Sequence, residues 1–401
     1  MATVYYNSSA SGSNDGTSEA NAYTDLQTAL NSLSAGDHLY VKRAASREGV
    51  KTTNLTFSTS AGAGGDPTII EGYATTPGDG GMYQTASPVY ITGEHVLLMY
   101  FDVDKDNDST EAIRLNADCC CAYRCKATST YDFGNCFGLN DAIAVECSAY
   151  GRASSVGDGA FEMNRGMLIN CYAEVTSGNA GAAINLQSGY RTNSVIGCVC
   201  VNSGSGTSNN GIRVDGSNNS GGGALANNTF YNFNNGILEE DGTRNTHTSP
   251  FVYYGNLIYS CGNGINNAQG TNSGTLTLYS FDNAFGAITS NAVSNLSCNV
   301  NSKTLTASPF LDTTDFKINA TSGGGALIKG LLGIPDEKDQ ASTTRVDFST
   351  HGGVAPDPNV AFSVTDSGTL SLSSSSPGDK VTVSGRTYQK ISDGPIVWRR
   401  A

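Results

Sequence analysis

The segments AIRLN (112–116), CFGLN (136–140), AFEMN (160–164), AINLQ (183–187), GIRVD (211–215), GILEE (236–240) and GINNA (264–268) recur at spacings of 24, 24, 23, 28, 25 and 28 residues. Each has a large apolar residue in second place: Ile113, Phe137, Phe161, Ile184, Ile212, Ile237 and Ile265. The first five repeat this at the fourth place, with Leu115, Leu139, Met163, Leu186 and Val214. An amide or acid closes the first six, giving the column Asn116, Asn140, Asn164, Gln187, Asp215 and Glu240. A period near 25 with two-residue alternation describes a solenoid whose rungs each supply short strands, stacked in parallel about 4.8 Å apart. The fold class is therefore all-β.

A second column follows at a nearly constant offset: Phe101, Cys125, Cys147, Cys171, Cys198, Thr229 and Leu257. Apolar residues two places before and after most of these extend the alternation and predict that the column points into the coil. Gly, Ser, Asn and Thr crowd the joints, and the drift of the period is taken up in turns such as 202–211 and 215–224. Proline is absent between Pro88 and Pro250, which suits unbroken ladders.

These repeats resemble the right-handed parallel β-helix of the pectin-lyase-like superfamily, across roughly residues 37–330. GSNDGTSEANAYTDLQTALNSLSAGDHLYVK (12–42) looks like that family's opening: a polar loop, a short amphipathic helix that caps the coil, and a first strand. Leu26, Ala29, Leu30 and Leu33 share one face of a helix predicted from about Ala22 to Ser34, with Gly36 as the stop. The resemblance also implies that SPFLDTTDFKINATSGGGALIKG (308–330) is the closing rung. Residues 333–359 read as a polar connector. Residues 360–401 read as a separate unit of three or four short strands, with the lone tryptophan, Trp398, beside Arg399 and Arg400 as docking candidates.

The net charge of −13, from 23 basic and 36 acidic residues, argues against nucleic acid and anionic membranes as partners. No apolar run reaches membrane-spanning length. MATVYYNSSASG (1–12) has neither the basic nor the apolar region of a secretory signal, so synthesis in a host cytoplasm is expected. The eleven cysteines are odd in number and fall mostly in the inward column, where a reduced, buried stack is expected, with Cys125, Cys147, Cys171 and Cys198 in file. No metal motif is present, although a calcium ion is compatible with the acidic residues described next.

The carboxylates of neighbouring repeats, Asp215 with Glu239 and Glu240, lie near Arg213 in sequence and are the candidates for polysaccharide cleavage; Asp158 and Glu162 form a second group. The competing reading places Asp215 and Glu240 in the polar ladder begun by Asn116. There two stacked acids require a shared proton, a cation or Arg213 between them. Glu239 interrupts the apolar column that held Val214, so either the strand slips register or the residue turns outward. Tyr150, Tyr172, Tyr253 and Tyr254 are candidates for outward aromatic faces that stack on sugars.

An acidic β-helix with a small β-tail resembles bacteriophage virion proteins: tail spikes, tail fibres and capsid-decorating fibres. That resemblance implies a non-enzymatic virion structural protein, commonly a homotrimer, whose partners are other capsid or tail proteins and host-surface polysaccharide. The alternatives are a polysaccharide depolymerase, by lyase or glycoside hydrolase chemistry, and a bacterial surface adhesin.

Overall fold

The computed structural model describes residues 2–329 except short segments within 50–52, 61–65, 106–110, 130–134, 153–158, 177–180, 188–192, 205–208, 216–222, 241–250, 268–278, 295–297 and 314–317, together with three strands after residue 379. The first unit, Met1–Ser349, is a parallel solenoid with three faces. Its first face runs from Leu55–Phe57 through Val89–Ile91, Ala182–Leu186, Asn210–Asp215, Asn235–Glu240 and Asn263–Asn267 to Val293–Ser294. The second starts at Thr3–Tyr6, pairs it with His38–Lys42, and ends at Cys298–Val300. Three long strands, Ile113–Tyr123, Phe137–Val145 and Gly159–Ile169, pass from the first face to the second around a left-handed residue: Cys119, Asp141 or Arg165. The third face stacks ten strands from Tyr83–Thr85 to Lys303–Leu305.

The sequence repeat sets the register. Ile113 pairs with Phe137, and Phe161, Ile184, Ile212, Ile237 and Ile265 continue the file. All seven are fully buried, and the rings of Phe137 and Phe161 stack with centroids 4.8 Å apart. Burying such side chains contributes roughly 1.5–3 kcal/mol each. The helix Leu26–Ser32 buries Leu26, Ala29 and Leu30 in the same core, and the Asp25 side chain caps it by accepting from the Thr28 N–H at 2.7 Å. That covers strand ends and apolar surface which an open coil would expose. The helix is shorter than the sequence pattern suggests, because Tyr23 already bridges to Tyr6.

Between the second and third faces the chain turns on a single left-handed residue, among them Tyr100, Arg124, Glu146, Asn170, Gly197, Asn227 and Gly255. The next residue then points inward. On four successive rungs it is Cys125, Cys147, Cys171 and Cys198, after which it is Asn228, Asn256 and Asn283, all buried. Here the structure corrects the second sequence column. Val199 pairs with Thr229, and Thr229 with Leu257, one place beyond the thiol file. The inward column continues as amides instead: Cys171 N–H donates to Cys198 Sγ at 3.4 Å, Cys198 N–H to Asn228 Oδ1 at 2.9 Å, and Asn256 N–H to Asn283 Oδ1 at 2.8 Å. Each side chain satisfies a corner N–H of the preceding rung, a role that sulfur fills more weakly than an amide oxygen. All ten described cysteines are free thiols. Burial pushes Cys136 and Cys261 up to about 12 and holds Cys147 and Cys198 well above the ordinary thiol range, so these sulfurs are packing groups and not nucleophiles.

The segment after Leu305 does not add a closing rung. Phe310, Phe316, Ile318 and Ile328 form a second apolar cluster with Tyr172, Val199, Val201 and Leu257 on the outside of the third face. Phe310 sits against the rings of Tyr231 and Tyr259 at 6.1 and 5.8 Å. The chain folds back because the outward positions there are apolar, and that surface needs a cover. The expected connector, 333–359, lies outside the described residues. The second unit, Thr350–Ala401, contains an antiparallel sheet of Lys380–Val383, Arg386–Lys390 and Trp398–Arg400.

Candidate functional site

The solenoid sets two of the carboxylate positions suggested by the sequence side by side and sends a third, Glu239, into the core. Asp215 and Glu240 are register partners on adjacent rungs, as are Val214 and Glu239. The side chains of Asp215 and Glu240, and all of Asp158, lie outside the described residues. Glu239 neither slips register nor turns outward: it points into the coil, almost fully buried, and accepts a hydrogen bond from the Tyr253 hydroxyl. Burial and the neighbouring carboxylate hold that phenol well above its ordinary range, so it remains a donor. Alternation places Arg213 on the other side of the same sheet, pointing away from the core. Glu239 and Arg213 are therefore separated by the backbone and cannot share a substrate.

Arg213 instead ends an outward row on the first face. Glu162, Asn185 and Arg213 are register neighbours on three consecutive rungs, spanning about 10 Å at the usual strand spacing. Arg213 Nη1 donates to Asn185 Oδ1 at 3.5 Å, and Glu162 accepts from Asn135 Nδ2. Asn185 and Arg213 are buried. Asn185 escaped notice in the sequence because its place in the repeat is filled by residues of every type, from Arg114 to Gly138. The polar column at the end of this face begins with Asn140 Nδ2 donating to Asn116 Oδ1 at 2.8 Å, and Arg165 binds both Asn140 and Asp141. Asn164 is next in register, its Oδ1 buried without a hydrogen-bond partner among the described residues. Gln187 follows, its backbone N–H donating to the Met163 carbonyl.

The four tyrosines separate. Tyr253 is in the core, and Tyr254 is exposed on the second face. Tyr150 and Tyr172 come together outside the third face, their rings tilted and 5.6 Å apart. Lys126 lies over Tyr150 at 5.3 Å. The Tyr172 hydroxyl donates to Glu174 Oε2 at 2.8 Å, and Ser203 donates to Glu174 Oε1 at 2.6 Å. Burial and Glu174 keep both phenols protonated, above their ordinary range. Lys126, Tyr150, Tyr172, Glu174 and Ser203 thus form a patch of aromatic surface, one cation, one anion and hydroxyls across four rungs. It lies where the folded-back segment ends, since Tyr172 belongs to that cluster and Tyr150 packs at its margin. Tyr172 is itself buried in that cluster, so it is the partly exposed Tyr150 that offers a ring face, beside fixed donors and acceptors. Among the described residues no three His, Cys, Asp or Glu side chains converge as metal ligands. None of the helices there is long and apolar enough to cross a membrane. Trp398, Arg399 and Arg400 form an edge strand paired with Tyr388–Lys390; their side chains lie outside the described residues.

Among solved structures, the chain is similar to the pectate lyase Pel9A, with 15% identity over 80% of this chain and 90% of that one and a TM-score of 0.57. The fold is that of a right-handed parallel β-helix. A PL6-family polysaccharide lyase from Pseudopedobacter saltans aligns at 12% identity over 76% of this chain and 88% of that one, with a TM-score of 0.45. The pectin methylesterase from Aspergillus niger aligns at 12% over 82% and 96%, with a TM-score of 0.41. The sequence matches no protein-family model. It likewise matches no curated protein. At these identities the likeness concerns the fold, and function has to be argued from the sites.

Proposed function

We propose that this protein is a bacteriophage virion component, a capsid decoration, spike or tail fibre, that assembles as a homotrimer and binds host-surface polysaccharide without cleaving it. The observation that carries the binding role is the patch of Lys126, Tyr150, Tyr172, Glu174 and Ser203. The partly exposed ring of Tyr150 suits the apolar face of a sugar, and the polar atoms around it suit sugar hydroxyls. Burial leaves Glu239 out of any surface chemistry, so it cannot serve as one of the two carboxylates that glycoside hydrolysis uses. The particle setting is supported by the acidic, weakly charged solenoid, stiff along its length, and the Trp398–Arg400 strand is the proposed attachment end. Retention on immobilised host polysaccharide tests the binding role: Tyr150→Ala should lose it, and wild-type protein that fails to bind refutes it. Capture of purified capsid or tail proteins tests the setting.

A second reading, a polysaccharide lyase, is favoured by the Glu162–Asn185–Arg213 row on a fold shared with a pectate lyase. A guanidinium there would neutralise a uronate carboxylate. Growth of unsaturated-uronate absorbance that disappears in Arg213→Ala would establish it over the first.

A further inference from the structure

Along the second face, from Val96–Met99 to Phe251–Tyr254, the outward positions of seven successive strands carry no charged side chain. Ile143, Val145, Met167, Ile169, Ile196 and Tyr254 lie there partly exposed, Ile143 and Tyr254 the most, at 38% and 36%. None of them belongs to either apolar cluster. Among the described residues, the apolar exterior of the third face is by contrast covered by the folded-back segment.

We infer that this band is the contact by which one copy of the chain packs against another, a reading that rests on the homo-oligomeric part of the function proposed above. Six rung steps make the band about 29 Å long. Two columns of side chains give it a width of about 12 Å, hence a footprint of about 350 Å². That is too small for a whole interface of about 800 Å² per partner but fits the apolar core of one, inside a polar rim. The rim carries ion pairs formed within the protomer. Along one edge Arg124 pairs with Glu146 at 2.7 Å, and along the other Arg165 pairs with Asp141 at 2.5 Å. These two pairs are neutralised within each protomer, while exposed Glu94 and Asp118 lie beside Cys119 on the edge that Asp141 shares. The two surfaces also share one rung spacing, so their side chains interleave along the whole band, which an unrelated globular surface would not do.

Sedimentation velocity of the full chain at micromolar concentration tests this. Wild type should sediment as an oligomer, and Ile143→Glu and Ile169→Glu should each weaken association at least tenfold, with unchanged circular dichroism. Arg114→Gln, on the first face, should leave it intact. Because both substituted positions point away from the core, loss of fold in both variants would itself contradict the assignment of this surface. Monomeric wild type, or full association in both variants, overturns the inference. Polysaccharide binding is scored on the same samples. Binding by a monomeric wild type would sink the interface while sparing the binding role, and an Ile143-dependent oligomer that binds no polysaccharide would do the reverse.

Discussion

Replacing Asn283 tests the corner ladder where it is fully amide. Its Oδ1 accepts the Asn256 backbone N–H at 2.8 Å and Asn256 Nδ2 at 2.9 Å, while its Nδ2 donates to the Tyr253 carbonyl at 3.0 Å and to Ser280 Oγ at 2.9 Å. All of this is buried. In Asn283→Ala the corner N–H of Asn256 loses the acceptor that serves it, at about 2 kcal/mol for a buried donor left unmade. Asn256 Nδ2 keeps the Leu225 carbonyl and Ser280 keeps Asn299, so the remaining losses are partial, together about 1 kcal/mol. The sum is about 3 kcal/mol. Asn283→Cys restores an acceptor of the kind that Cys198 offers Cys171, and should recover about half of that. Urea unfolding followed by circular dichroism reads both variants. A loss below about 1 kcal/mol for alanine, or no difference between cysteine and alanine, would refute the claim that these side chains hold the corners.

Tyr253→Phe removes the hydroxyl that serves buried Glu239 and should cost about 1.5–3 kcal/mol in the same unfolding assay. Phe137→Ala opens a cavity in the inward file between Ile113 and Phe161 and should cost about 3–5 kcal/mol. Stability should fall as pH rises from about 9 towards 12. Cys136 and Cys261 ionise only near 12 when folded but near 9 when unfolded, so the unfolded chain gives up protons first, and their contribution, complete below pH 9, disappears across that window. A flat stability profile over that range would contradict the burial of these thiols. Under native conditions a maleimide should label exposed Cys119 well before Cys147 or Cys198.

The repeat made the coil legible because one face must be filled on every rung, and Ile113 to Ile265 leave no other periodicity to read. The second column was misread at Thr229 for a physical reason. An inward Asn looks like an error to a hydrophobicity rule, yet Asn228, Asn256 and Asn283 bond chiefly to one another and to corner N–H groups, so the coil accepts them. Glu239 misled in the same way: its partner, Tyr253, is fourteen positions on and belongs to another face. The reversal of the chain at Phe310 was hidden because outward Val199, Val201 and Leu257 alternate like any strand, and only their neighbours in space reveal that they need a cover. Tyr150 and Tyr172 meet diagonally, Tyr150 standing opposite Glu174 and Tyr172 opposite Ser148, a contact that only the register reveals.

That reversal also governs how the rod comes apart. Phe310 grips Tyr231 and Tyr259, two strands and one strand back from Ala284–Gly286. The final rungs therefore cannot peel off singly. Under tension applied near residue 329, this end should hold and then give way in one step of several rungs, like a buckle and not a zip.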